Sequence, residues 1–196
     1  MVAISEIIKS IKYGPHLKTV EKGEIKFLKG NHFDEEFDLD KVENSFVSSE
    51  HKFCDKFLLN KSDIILAAKG FKNFAWRYTG EQGCCIASSL FYVIKINEDL
   101  ILSEYFALVI NAPKTQHQLK LIGSGVTTPS IPKSELLKIK IPIPTREVQN
   151  KLVRLNNTLS KQINIEKKLI EKKKELQGGL LNLLTKNELL INKKVL

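Results

Sequence analysis

The residues most able to do chemistry here are polar and basic groups placed around short apolar runs, and their pattern fits binding better than catalysis. Residues 61–80 (KSDIILAAKGFKNFAWRYTG) set a β-like apolar run directly before Lys69, Lys72, Asn73, Arg77 and Tyr78, interleaved with Phe71, Phe74 and Trp76. Lysines can hold phosphates, Asn and Arg can read base edges, and the aromatics can fix the loop or contact a backbone. The same text also fits a hairpin with core aromatics and solvated charges. Residues 121–133 (LIGSGVTTPSIPK) form a second loop, in which Ser124, Thr127, Thr128 and Lys133 could contact phosphates through hydroxyls, backbone amides and charge. An ordinary polar turn is equally compatible with it.

Catalytic patterns are not visible. Gly70, Gly80 and Gly83 make no G-x-G-x-x-G, no G-K-[ST] loop exists, and Gly123-Ser124-Gly125 leads into Val-Thr-Thr-Pro. The Asn/Asp-Pro-Pro-aromatic tetrapeptide of an amino-methyltransferase is missing. Glu24-Ile25-Lys26 is the one fragment resembling a nuclease cluster and reads more simply as a strand of alternating charge. His16, His32, His51 and His117 lack Ser, Cys or carboxylate partners at recognisable spacing. Cys54, Cys84 and Cys85 offer neither a disulfide framework nor zinc spacing and read as reduced thiols. We therefore expect no catalytic residue, no metal and no cofactor on this chain.

The elements that would position these loops follow from pattern. Ile4, Ile7, Ile8 and Ile11 have helical spacing and stop at Gly14-Pro15, which predicts a short helix. Strand-like runs follow at 24–28, 56–59, 64–68, 85–96 and 125–131. Residues 100–111 read as a core helix that ends before Pro113. The fold class is thus α+β, a mixed α/β domain with a substantial β-sheet, over residues 1–145. IKIPIP at 139–144 has prolines at alternate positions, which exclude a central strand and predict an extended connector.

Thr145 is a natural N-cap, with Gln149 near a capping partner's position, so a helix starts about Arg146. It is expected to reach about residue 185, roughly 40 residues or 60 Å, with a polar tail at 186–196. Val148, Leu152, Leu155, Leu159, Ile163 (or Ile165), Leu169, Leu176, Leu180 and Leu183 approximate a coiled-coil seam. Gln162, Glu166 and Lys173 interrupt it, and Gly178-Gly179 is a weak point where the helix could kink or end. A domain of this size cannot pack so long a helix alone.

Charge sharpens the division. Of the net +9, residues 146–196 hold 12 Lys+Arg against 5 Asp+Glu, or +7, and residues 1–145 hold 19 against 17, or +2. Within 32–50 seven carboxylates face Lys41 alone, giving −6, so the rest of the domain is +8. An acidic strip and a basic surface are compatible with a phosphate-facing groove. With no membrane-length apolar run and no secretory signal pattern at the start, the expected location is the cytoplasm.

The order of features resembles one half of the specificity subunit of type I restriction-modification enzymes, over essentially the whole chain. The likeness is carried by LIGSGVTTPSIPKSELLKIKIPIPTREVQNK at 121–151, with Gly123, Gly125, Leu136, Ile141, Pro142, Ile143, Pro144, Glu147 and Gln149 on the family pattern. Val148 intervenes where the family usually has Glu directly before Gln. LLNKSDIILAAKG at 58–70 resembles the family's mid-domain strand, with Ser62 where glycine is usual.

The resemblance implies a DNA target-recognition domain and a spacer helix. Two copies of the chain would form an antiparallel coiled coil, a homodimer reading a bipartite inverted repeat in double-stranded DNA. It further implies partners: a methyltransferase (modification) subunit and a restriction/translocase subunit, which would carry S-adenosylmethionine, Mg and ATP. Two other readings stay open: a recognition module for a stand-alone methyltransferase, and a pure coiled-coil interaction protein without specific DNA binding.

Overall fold

A computed structural model describes residues 1–34, 37–39, 42–48, 54–123 and 129–192. In chain order its elements are β1 (Val2–Ala3), α1 (Ile4–Ile7), β2 (Ile8–Tyr13), β3 (Ile25–Leu28), β4 (Phe46–Val47), β5 (Ile64–Ala67), β6 (Ala75–Arg77), β7 (Cys85–Ala87), β8 (Phe91–Ile96), α2 (Ser103–Asn111), α3 (Pro113–Ile122), α4 (Lys133–Lys138), β9 (Lys140–Ile141) and α5 (Arg146–Asn192). Two compact units result, Met1–Lys151 and Leu152–Leu196.

The first unit is built on a four-stranded sheet, β2-β8-β5-β6, and a three-stranded sheet, β4-β3-β7. The four-stranded sheet is antiparallel throughout, whereas β3 runs parallel to β7. Alternation along each strand divides its side chains between two environments. Cys85 and Ala87 of β7 join Phe91 and Val93 of β8 in a core with Leu28, Ile65 and Phe74, while Ile86 faces Ile25, Phe27 and Val47. Tyr92, Ile94, Ile64 and Leu66, on the other parity of β8 and β5, are also fully buried.

The helical start is shorter than its spacing predicts. After Ile7 the chain turns into β2, which pairs with β8 from Ile8↔Ile96 to Tyr13↔Tyr92. Four isoleucines at helical spacing satisfy both forms, because Ile4 and Ile7 are buried in α1 while Ile8 and Ile11 suit a half-buried strand. The predicted 85–96 strand is two strands, divided by a turn in which Phe91 N–H donates to the Ser88 carbonyl at 3.0 Å. Of 56–59, Leu58 alone bridges, to Ile86, after a 3-10 turn at Cys54–Lys56. Within the predicted 125–131 run, residues 125–128 lie outside the described residues.

Helix α2 stops before Pro113 as expected, and Pro113 then opens α3, since proline at the first helical position lacks no bond a helix would make. Against β6, Asn111 acts as a surrogate strand: its Oδ1 accepts from Ala75 N–H and its Nδ2 donates to Ala75 O, both at 2.8 Å. The Pro-flanked connector forms the short edge strand β9, paired with β1, and Ile4 N–H donates to Ile139 O at 2.9 Å.

Helix α5 begins at Arg146 as its sequence predicts, and its first bond is Gln149 N–H to Thr145 O at 3.0 Å. It continues through Gly178 and Gly179 to Asn192. The expected stop near 185 and polar tail from 186 are therefore corrected for residues 186–192, whose text has no glycine or proline to end a helix. The first unit also extends past 145 to Lys151. Gln149 accounts for this: it is buried, its Oε1 accepts from Leu102 N–H at 2.8 Å and its Nε2 donates to the carbonyls of Pro144 (2.9 Å) and Leu100 (3.3 Å).

Candidate nucleic-acid interface

The two loops singled out by sequence, far apart in the chain, are joined through their backbones. Gly70 N–H donates to Pro129 O at 2.9 Å, Ile131 N–H donates to Ala68 O at 2.8 Å, and Lys69 and Ser130 form an antiparallel bridge. The β5–β6 turn and residues 129–131 thus make one continuous surface at one end of the four-stranded sheet.

Local packing holds each part in place. The neck of the β5–β6 turn closes where Ala67 N–H donates to Phe74 O at 2.8 Å and Asn73 Nδ2 donates to Ala67 O at 2.9 Å. Phe74 anchors it, nearly buried and stacked on Phe37 with ring centroids 4.9 Å apart. Gly70 has φ 101°, a left-handed conformation that favours glycine. Below residues 129–131, the Tyr92 hydroxyl donates to Ile131 O at 2.9 Å and shares a 2.7 Å hydrogen bond with the Tyr13 hydroxyl. Burial and the Tyr13 hydrogen bond push the Tyr92 phenol far above its usual range, so it stays a neutral donor.

Basic groups gather on this surface. Lys69 Nζ lies 4.7 Å from the Tyr13 ring centroid, a cation–π contact. Lys72 is exposed, and exposed Lys133 reaches the Ile11 carbonyl at 3.3 Å. Residues 64–78 and 121–134 contain no carboxylate. A cleft of about 260 Å³ opens beside them, floored by Phe74, Phe91 and Ala67 and edged by Lys69 and Lys72.

Lys69, Lys72 and Lys133 of the expected contacts are thus brought together. Ser124, Thr127 and Thr128 lie outside the described residues. Asn73, Arg77 and Tyr78 belong to the framework instead. Asn73 is buried at the loop neck; Arg77 donates from Nε to Ser103 Oγ and pairs Nη1 with Glu104 at 3.0 Å; Tyr78 is buried with its hydroxyl on Gly83 O at 2.6 Å. These roles follow from a β6 strand sandwiched between β5 and α2, which leaves its polar groups neighbours to bond rather than water.

Sequence reasoning missed Tyr13, because it placed the preceding residues in a helix. The signal was the Lys-Tyr-Gly-Pro end of the run, where β2 stops beside the loops.

The predicted coiled-coil positions Leu152, Leu155, Leu159, Ile163, Leu169, Leu176, Leu180 and Leu183 all lie on α5 and are exposed, as is Val148. Among the described residues no group of three or more His, Cys, Asp or Glu could hold a metal ion, and no helix is long and apolar enough to cross a membrane. Cys85 is buried, and burial raises its thiol to about 11, which leaves it unreactive.

The model of a family described as the type I restriction modification DNA specificity domain matches residues 1–175. Three solved structures share the fold. The type I restriction-modification S subunit of M. genitalium has a TM-score of 0.60 at 15% identity, over 83% of this chain and 39% of that one. The HsdS subunit of Thermoanaerobacter tengcongensis has 0.61 at 16%, over 86% and 43%. A chain from a structure of complex assembly and conformational transition in the type I R-M system has 0.59 at 16%, over 83% and 38%. The chain spans about two fifths of the length of these structures.

Proposed function

Because the chain belongs to the type I restriction-modification DNA specificity domain family, we propose that it reads one half of a bipartite target in double-stranded DNA. The family is that of the non-catalytic specificity subunit, so the chain supplies address rather than chemistry. The observation that carries this reading is the joining of the two lysine-bearing loops through Gly70 and Pro129 into one continuous surface, built from segments that themselves contain no carboxylate. Lys69, Lys72 and Lys133 hold phosphates and set the register. Ser124, Thr127 and Thr128 are the further candidates for contacts to bases and backbone.

The second half of the target requires a second reader. Helix α5 is 47 residues, about 70 Å long, and Leu152, Leu155, Leu159, Ile163, Leu169, Leu176, Leu180 and Leu183 on it are open to solvent. Two copies pairing these helices antiparallel cover both stripes and place two recognition domains with twofold symmetry. The paired helices then dock a methyltransferase subunit and a restriction subunit, which bring S-adenosylmethionine, Mg and ATP.

A binding-site selection with the intact chain at moderate salt tests the reading. Enrichment of an inverted repeat with a fixed gap is expected. Recovery of unrelated sequences, bound only through salt-sensitive background, would overturn it. Light scattering that showed a monomer even with the methyltransferase subunit present would remove the homodimer.

A further inference from the structure

Phe71 stands out among the described large apolar side chains as the most exposed, at 82%. Its loop neighbours Asn73 and Phe74 are buried, and the aromatic core beneath is already filled by Phe33, Phe74 and Phe91. Holding such a ring in water forgoes the favourable burial of a large apolar side chain. The loop cannot relieve this by folding over, because its neck is closed by the Asn73 and Ala67 bonds and its crest is tied to Pro129 through Gly70. Phe71 is therefore presented on a pinned turn.

Its surroundings define what it meets. Lys69 and Lys72 flank it, and no carboxylate occurs anywhere from residue 64 to 78. A protruding aromatic between two cations fits a partner that is anionic outside and flat and apolar inside, which describes stacked base pairs between two phosphate backbones. We propose that Phe71 is an apolar wedge that enters the base stack of the bound duplex and partly unstacks one step, with Lys69 and Lys72 on phosphates to either side. This rests on the DNA-recognition reading above and adds a mode of readout to it: the wedge favours steps that unstack easily, so it selects sequence by deformability as well as by base edges.

The test uses the intact chain and the duplex recovered by binding-site selection, resynthesised with 2-aminopurine at each position in turn. Wild type is expected to raise fluorescence several-fold at one step. Phe71→Ala abolishes that rise and weakens binding to the selected duplex on the order of tenfold, while binding to a random-sequence duplex changes less than twofold. Phe71→Trp keeps the rise and most of the affinity.

Because Phe71 lies outside the core, both variants should melt at the wild-type temperature. The wedge is overturned if Phe71→Ala keeps the wild-type affinity and fluorescence. It is equally overturned if no position brightens and Phe71 matters only when a thymine methyl is present, which is an edge contact. If wild type itself enriches no sequence, the recognition reading falls before any variant is compared, and the wedge falls with it.

Discussion

Gly70 and Pro129, nearly sixty residues apart, meet through a 2.9 Å hydrogen bond from the Gly70 amide to the Pro129 carbonyl. That bond makes one surface of two loops, and it depends on the left-handed backbone at Gly70. Nothing lies within 4 Å of a Cβ added there, so Gly70→Ala leaves the core intact but strains the turn by about 1 kcal/mol. The expected result is a small fall in melting temperature with a larger loss of affinity for the selected DNA. Equal affinity for the variant would mean the joint does not serve recognition.

Gln149 ties the start of α5 to the first unit through Leu102, Leu100 and Pro144. Gln149→Leu keeps the volume but leaves the Leu102 amide without its acceptor, at a cost of about 1–3 kcal/mol. Urea unfolding measures it, and a change below about 0.5 kcal/mol would contradict this role.

Ser62 adopts φ 74° at the turn entering β5, where Asp63 accepts from Asn60 N–H at 2.9 Å. A left-handed serine is strained by about 1–2 kcal/mol, partly offset by the extra freedom glycine has when unfolded. Ser62→Gly should therefore stabilise by about 0.5–1 kcal/mol in thermal or chemical unfolding.

His32 is buried, and its Nδ1 accepts from Lys29 N–H at 3.1 Å. Burial, then the Lys29 charge, hold its pKa below the usual value. The unfolded chain takes up a proton near pH 6.5 that the folded chain refuses. Its contribution to stability is thus complete above pH 6.5 and lost as pH falls below it, with a slope of at most about 1.4 kcal/mol per pH unit. Between pH 7.5 and 5.5, wild type should lose more stability than His32→Gln in urea unfolding; parallel losses would refute the assignment.

Much of this architecture was legible from particular residues. The prolines at 142 and 144 announced the connector, and Thr145 the helix start, because both act through local backbone geometry. The β5–β6 turn was legible as a loop, but its union with residues 129–131 was not, since an amide–carbonyl bond between Gly70 and Pro129 leaves no trace in side-chain pattern. Asn73, Arg77 and Tyr78 carried the chemistry of base contacts yet are held inside by Ala67, Glu104 and Gly83. Composition cannot distinguish a polar group that meets DNA from one that meets its own fold. Tyr13 was hidden by four isoleucines whose spacing suits a helix as well as the strand they enter.

A grip on DNA by Lys69, Lys72 and Lys133 of the joined loops is read from the salt dependence of binding. Affinity would be measured from low to moderate salt for wild type and for the Lys69→Ala, Lys72→Ala, Lys133→Ala triple variant, on the selected duplex. Each phosphate left without its lysine should lower the slope of log affinity against log salt by about 0.9, so the variant's slope should fall by about 2.7. A variant with the wild-type slope and affinity would show that DNA, if bound, is gripped elsewhere.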